Sequence, residues 1–355
     1  MHDLKTILLL IVVVCMLVSI PAAARCSDDV RHQTGVQDRP VSFFTNPAVT
    51  LLSEYYTNSS DFTRQSIGTE AGVSASSGVH FDAGYVFSDF SQDGFDDVLR
   101  HTLIIQGERQ FSESITVLGR LSENFYDNEN ENLNGGLFLR FRPVSGLYTE
   151  FSYRHFDLID TVPSFSNVIY SYVVTIGSLD LDIQSDDYKV YLLYYPVSRV
   201  SFAGEAVYGD YSDGNEKHSF MFEAGYQVFD APFLRAAYNY FYLDIKDPAP
   251  LTRTGDHVES AYWDPINFEI HTLRLEYRQD FRENLSWGAE GALSWSPKSS
   301  GLSTSAFLFA LYRFTQRSSL RFDARWFDQN EGVDRLEEGD RFWAANFNII
   351  YQHRF

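Results

Sequence analysis

Charged side chains recur at every second position along much of this chain. Arg321, Asp323 and Arg325 alternate within "RFDAR", and Arg140 and Arg142 within "RFR". The same parity collects Glu108, Arg120, Glu150, Arg154, Lys189, Glu205, Glu223, Arg235, Glu290 and Arg313, with Phe138, Tyr148, Tyr191, Tyr195 and Phe241 interleaved. A spacing of two puts side chains on one face of an extended strand. Such a face supports two kinds of chemistry. Opposite charges on neighbouring strands can bridge and stiffen a wall. Alternatively, ring faces stack on sugars while charged groups hydrogen-bond hydroxyls, which makes a path for a solute.

Other chemistry finds little footing, and no catalytic, cofactor-binding or metal-binding residues are assigned. His155 falls by a strand end, His218 and His257 near loops and His353 by the C-terminus, and no Ser-His-Asp spacing or HExxH motif is present. Carboxylates in "DNENEN" and "RLEEGD" suit solvated loops better than a Ca²⁺ site, although they could bridge lipopolysaccharide through divalent cations. Without a CxxCH motif the chain attaches no c-type haem, so it could only sheathe a cytochrome supplied in trans. A net charge of −20 disfavours nucleic-acid partners, because phosphate contact needs a positive footprint.

The elements that must position the charged face are strands. Alternating segments of roughly 10–14 residues, a length that crosses a bilayer at a tilt, meet very short turns: "ASSG" (75–78), "FSES" (111–114), "PVSG" (143–146), "PVSR" (196–199), "FDAP" (229–232), "FREN" (281–284) and "FTQR" (314–317). The opposite connections are polar and longer: 91–97, 127–132, 212–217, 297–303 and 330–340, with two much longer ones at 157–182 and 245–266. One strand between each pair of connections gives about sixteen, an even number that returns the C-terminus to the N-terminal side. The strands are about twice the length typical of a soluble sandwich. The expected fold is therefore all-β, a single transmembrane antiparallel up-and-down barrel, since closure alone removes edges in lipid. Aromatics at 16% with a mean hydropathy of only −0.23 fit aromatic girdles around a polar lumen. The final segment "FNIIYQHRF" alternates to its last residue, so it is expected to close against the first strand. Tyr351 and Phe355 resemble the signal read by the outer-membrane barrel-assembly machinery.

Residues 1–24 read as a secretory signal peptide: Lys5, an apolar run from Ile7 to Ile20, then Ala22–Ala24 for cleavage. Cys15 leaves with it, so Cys26 has no disulfide partner, and Arg25 stands where a lipoprotein signal wants a small residue. A periplasmic arm is expected over 25–46 and the barrel over 47–355.

"YGDYSDGNEKHSF" (208–220), "FYDNENENLNGGLFLRFRP" (125–143), "LIDTVPSFSN" (158–167) and "YWDPINFEIHTLRLEYR" (262–278) resemble the C-terminal barrels of exopolysaccharide-export porins, which pass cellulose or poly-N-acetylglucosamine. The resemblance implies a passive conduit in the outer membrane of a Gram-negative bacterium, carrying a polysaccharide among lipid and lipopolysaccharide. Those relatives usually carry long periplasmic tetratricopeptide arrays, and here a short arm stands in their place. The scaffold or export protein would then act in trans. The alternatives are a general or solute-selective diffusion porin and an outer-membrane sheath for a partner such as a cytochrome.

Overall fold

Period-two alternation becomes strand throughout the chain. The computed structural model describes residues 44–75, 78–128, 130–161, 175–254, 257–282, 284–298, 301–329 and 342–355. The segments expected as signal peptide and most of the arm, and the connection 330–340, lie outside these residues. In chain order the strands are β1 (Phe44–Asn58), β2 (Thr63–Ala75), β3 (Val79–Ser91), β4 (Val98–Ser112), β5 (Ile115–Tyr126), β6 (Glu131–Val144), β7 (Leu147–Asp157), β8 (Gln184–Val197) and β9 (Val200–Tyr211). They continue as β10 (Glu216–Phe229), β11 (Phe233–Ile245), β12 (Leu251–Thr254), β13 (His257–Ser260), β14 (Phe268–Asp280), β15 (Leu285–Trp295), β16 (Leu302–Arg313), β17 (Ser318–Gln329) and β18 (Phe342–Arg354).

All but β12 and β13 form one closed antiparallel barrel in chain order, sixteen strands in all, and β12–β13 make a separate hairpin inside the connection from β11 to β14. The closing seam is β1 against β18, in register from Ala48↔Arg354 to Asn58↔Ala344. No barrel strand is left with an open edge, so every strand's backbone polar groups find partners without water. The turns at one end are the seven short ones read from the sequence. An eighth connection at the far end, residues 59–62, went unread because Asn58 N–H donates to Phe62 O at 3.1 Å in a loop too short to interrupt the alternation. β1 also begins inside the segment expected to be arm. A register shift between Thr45 and Ala48 carries the ladder past Pro47, which has no N–H to donate, so that Phe44 pairs with Ala75.

Alternation sorts the side chains. Leu51, Ile67, Ile105, Leu139, Leu275, Leu308 and Ile349 point outward, and Ile67 stays 66% exposed. In water each exposed aliphatic chain would forgo about 1.5–3 kcal/mol of burial free energy. A hydrocarbon surround removes that loss, and the outer belt is built for one. The opposite parity carries buried polar groups: Glu54, Arg64, Thr102, Asn124, Asp187, Lys217, Asp323 and Asn348. The core of this molecule is its lumen.

Candidate functional site

The lumen divides into an upper plug, a middle ladder of charge and a lower mouth at the short-turn end. The plug comes from two connections. After β7 the chain makes a 3₁₀ turn (Leu158–Thr161), and later a short helix α1 (Gly177–Asp180). Ile159, Ile176 and Leu179 bury themselves against Tyr56, Phe62, Phe90, Phe327 and Phe342, residues from the opposite side of the barrel. Ile176 N–H donates to Gln92 Oε1 at 2.8 Å, and Thr175 Oγ1 donates to the Ala261 carbonyl at 3.0 Å, which ties this connection to the second. There Ala249, Ala261 and Tyr262 pack on Phe241, Leu243, Ile245, Phe268 and Ile270. Tyr262 donates to Asp213 Oδ2 at 2.7 Å and accepts from Asn215 Nδ2 at 2.9 Å. Burial, then the Asp213 carboxylate, pushes its phenol well above the ordinary range, so it remains a donor throughout the neutral pH range.

Beneath the plug, Asp157 Oδ2 accepts from Asn124 Nδ2 and Tyr126 OH at 2.6 Å each and from Asn134 Nδ2 at 3.3 Å. Arg100 pairs with Asp160 at 2.7 Å while lying over the Phe90 ring at 4.9 Å. A cavity of about 510 Å³ opens below, lined by Glu54, Arg64, Glu70, Arg120, Phe138 and Arg154 among others.

The ladder links one strand to the next. Arg140 reaches Glu108 at 3.0 Å and Glu150 at 3.1 Å. Lys189 lies 3.7 Å from Glu150 and 3.5 Å from Glu205. Glu223 holds both Arg235, at 2.6 Å, and Arg274. Arg274 continues to Glu290 at 3.7 Å. Arg321 and Asp323 pair at 2.8 Å along β17, and Arg325 covers the Phe307 ring at 4.6 Å. Arg154 meets Asp187 at 3.3 Å. Rings sit among these groups: Tyr148 donates to Glu150 Oε2 at 3.0 Å and meets Tyr191 edge-on at 6.1 Å.

The fifteen charged residues picked out by parity thus all stand on inward positions, but they are not alike. Glu108, Arg140, Glu150, Arg154, Lys189, Glu205, Glu223, Arg235, Glu290, Arg321 and Asp323 are held in ion pairs. Arg120 borders the cavity, while Arg142 and Arg313 are exposed at the lower mouth. Tyr195 is also at that mouth. Phe241 is no solute platform, because it is 5% exposed inside the plug's apolar packing. Tyr351 and Phe355 face outward; Tyr351 pairs with Leu51, and Phe355 N–H donates to the Pro47 carbonyl at 2.9 Å.

Sequence parity passed over the most buried pair. Lys217 Nζ and Asp187 lie 2.9 Å apart, each side chain 3% exposed. A Cβ at Gly209 would stand 2.7 Å from both side chains, so glycine makes room for the bridge. Both residues had the inward parity, yet their meeting depends on cross-strand register, which a single sequence leaves open. Asp187→Ala is expected to lower barrel stability by about 3–5 kcal/mol, because it removes the carboxylate that meets both Lys217 and Arg154 in a buried bridge. Urea unfolding in detergent measures this, and an unchanged midpoint would contradict it.

Structure also aligns Ser74 Oγ, His80 and Asp82, at 3.0 Å and 2.8 Å. The residue types suit acyl transfer, but Ser74 pairs with His80 inside a strand ladder and not at a turn with free N–H groups to hold an oxyanion. Among the described residues no cluster of three or more His, Cys, Asp or Glu is placed to hold a metal ion.

No protein-family model matches the chain, and no curated protein matches its sequence. Among solved structures, a bacterial polysaccharide outer membrane secretin superposes with a TM-score of 0.64 at 13% identity, over 87% of this chain and 98% of that one. CdiB from Acinetobacter baumannii aligns at TM-score 0.48 and 10% identity, over 87% of this chain and 60% of that one. OccK5 (OpdH) of Pseudomonas aeruginosa aligns at 0.44 and 10%, over 87% and 98%. The first likeness, at this identity, establishes the fold: a closed sixteen-strand barrel of the outer-membrane type.

Proposed function

We propose that the chain is an outer-membrane channel of a Gram-negative bacterium, a passive conduit for a secreted polysaccharide, closed at its outer mouth by its own loops. The observation that carries this reading is the inward wall. Charge of both signs and tyrosine rings line it from the lower mouth to the plug, a surface suited to hydroxyl-rich chains and unlike an apolar barrel core. The apolar outer belt supports the location. The likeness to a structure described as a polysaccharide outer membrane secretin agrees with the proposal without deciding it, as do the segments resembling exopolysaccharide-export porins.

In this reading residues 1–24 are removed, the segment 25–43 ahead of β1 lies in the periplasm, and a periplasmic export or scaffold protein delivers the glycan. The assembly machinery reads the terminal aromatics, and acidic outer loops face lipopolysaccharide. A standing diffusion pore fits less well, since the described residues of two connections pack inside the far end of the barrel.

A strain lacking the gene is expected to lose secreted exopolysaccharide while small-solute uptake stays unchanged. Colorimetric sugar assay of the medium and radiolabelled uptake measure the two. Full secretion with impaired uptake would establish the diffusion porin instead.

A further inference from the structure

The lower mouth carries a feature that the ladder does not share. The last charged inward residue before the short-turn end is arginine on three strands, Arg142 on β6, Arg313 on β16 and Arg354 on β18, and on β14 Arg278 stands one inward position above Asp280. All four are exposed, and among the described residues none has a carboxylate within ion-pair distance. Higher in the lumen, by contrast, most cations are matched by acids. Three acids stand near them: Asp280 accepts from Ser286 Oγ at 2.6 Å, Asp230 holds Arg199 at 3.1 Å, and Glu113 lines the rim with Arg142 beyond ion-pair distance. Meanwhile a chain of net charge −20 keeps Asp93, Asp96, Asp97, Asp127, Asp213 and Asp247 at the opposite end.

Rings accompany these arginines. Arg142 lies over Tyr148 at 5.9 Å and Arg278 over Phe233 at 4.9 Å. A groove of about 820 Å³ runs along the rim past Arg142, Tyr148 and Tyr195. It shares Arg142 and Tyr148 with an inner recess of about 230 Å³ that reaches Arg140 and Glu108. The groove's size suits a ligand of several rings.

A collar of guanidinium groups held in no ion pair is a site for anions, because the planar fork matches a carboxylate bidentately. Its field also gathers polyanions from solution. The collar points into the lumen instead of outward along the rim, which favours a threading chain over the flat surface of an acidic protein. We infer that this collar is the entry subsite for a polyanionic polysaccharide, with uronate-like sugars stacking on Tyr148 and Tyr195 while their carboxylates bind the arginines. This rests on the export reading and narrows its substrate class.

The test is equilibrium binding to the purified full-length barrel in detergent, using fluorescent oligogalacturonate and a neutral gluco-oligosaccharide of equal length. Oligogalacturonate is expected to bind at least about tenfold more tightly than the neutral chain, and to weaken as salt is raised. Replacing all four residues (R142Q, R278Q, R313Q, R354Q) should weaken it by roughly tenfold or more, whereas the fourfold lysine variant keeps most of the affinity because charge is retained. Heat-modifiable gel mobility confirms that each variant is folded. Equal binding of the neutral chain, undiminished binding by the glutamine variant, or capture of an acidic peptide but not the glycan overturns the inference. The export reading fails separately: normal secretion by the deletion strain would reject it while leaving an anion-binding collar in place.

Discussion

Removing Phe355 is expected to cut the amount of folded barrel in the outer membrane by about tenfold or more while barely changing the stability of any barrel that does form. The two effects separate because the residue contributes little to the finished structure. Its backbone donates one hydrogen bond, to Pro47, and its ring meets His353 edge-on with centroids 4.6 Å apart, while the side chain stays 63% exposed. One such bond is worth about 1 kcal/mol. Yet β18 is the closing strand, paired with β17 on one side and β1 on the other. Until it docks, two edges of unpaired backbone face lipid, each group costing several kcal/mol. On the proposal that the assembly machinery reads the terminal aromatic, the residue acts on the rate of closure. Phe355→Asp should behave like the deletion, and Phe355→Tyr nearly like the native chain. Immunoblots of outer-membrane fractions give the cellular level, and refolding into detergent gives intrinsic stability. Native levels of the deletion variant in cells would refute the idea.

The second large effect is expected at the plug. Ile176 and Leu179 are 1% and 5% exposed, wedged against aromatic residues of the far wall. Changing both to aspartate places two carboxylates in a cluster made chiefly of aromatic and aliphatic side chains, at a cost of several kcal/mol each. Moving a two-state equilibrium from 1:99 to 99:1 takes about 5.5 kcal/mol, so the double substitution suffices to expel the connection. Single-channel conductance in planar bilayers should rise by roughly tenfold or more, as a sixteen-strand barrel leaves room for water once emptied. Assembly should be unaffected, since no barrel-strand residue is altered. Unchanged conductance in a correctly folded variant would place the constriction in the charge ladder instead.

How much of this was legible beforehand depended on whether information was local. Alternation in "SLRFDARWF" assigns Arg321, Asp323 and Arg325 to one face and Leu320, Phe322 and Trp326 to the other, and the strand in the structure obeys it. Turn chemistry located every short connection, because each tight reversal needs its own few residues. What escaped depends on strands meeting at a distance. The bridge from Lys217 to Asp187 spans β10 and β8, the link from Arg100 to Asp160 joins β4 to a loop sixty residues later, and the Asp157 cluster draws on β5, β6 and β7. Parity says which way a side chain points but not how high it stands in the barrel. For that reason Arg140 and Arg142, neighbours of equal parity, look alike in sequence. In the structure one is clamped between two carboxylates and the other is exposed at the mouth.

The separation of arginines at the lower mouth from acids at the upper one makes the barrel an electric dipole along its axis. A negative polymer lying in it sits in a potential well at the entrance and climbs toward the exit. Its field can capture such a chain and hold it in line, but it does no work to expel it. Net displacement needs a gradient imposed from behind, as when each added sugar lengthens the strand already in place. A tube polarised in this sense is a holding site at the end where the chain enters, with the motor located elsewhere.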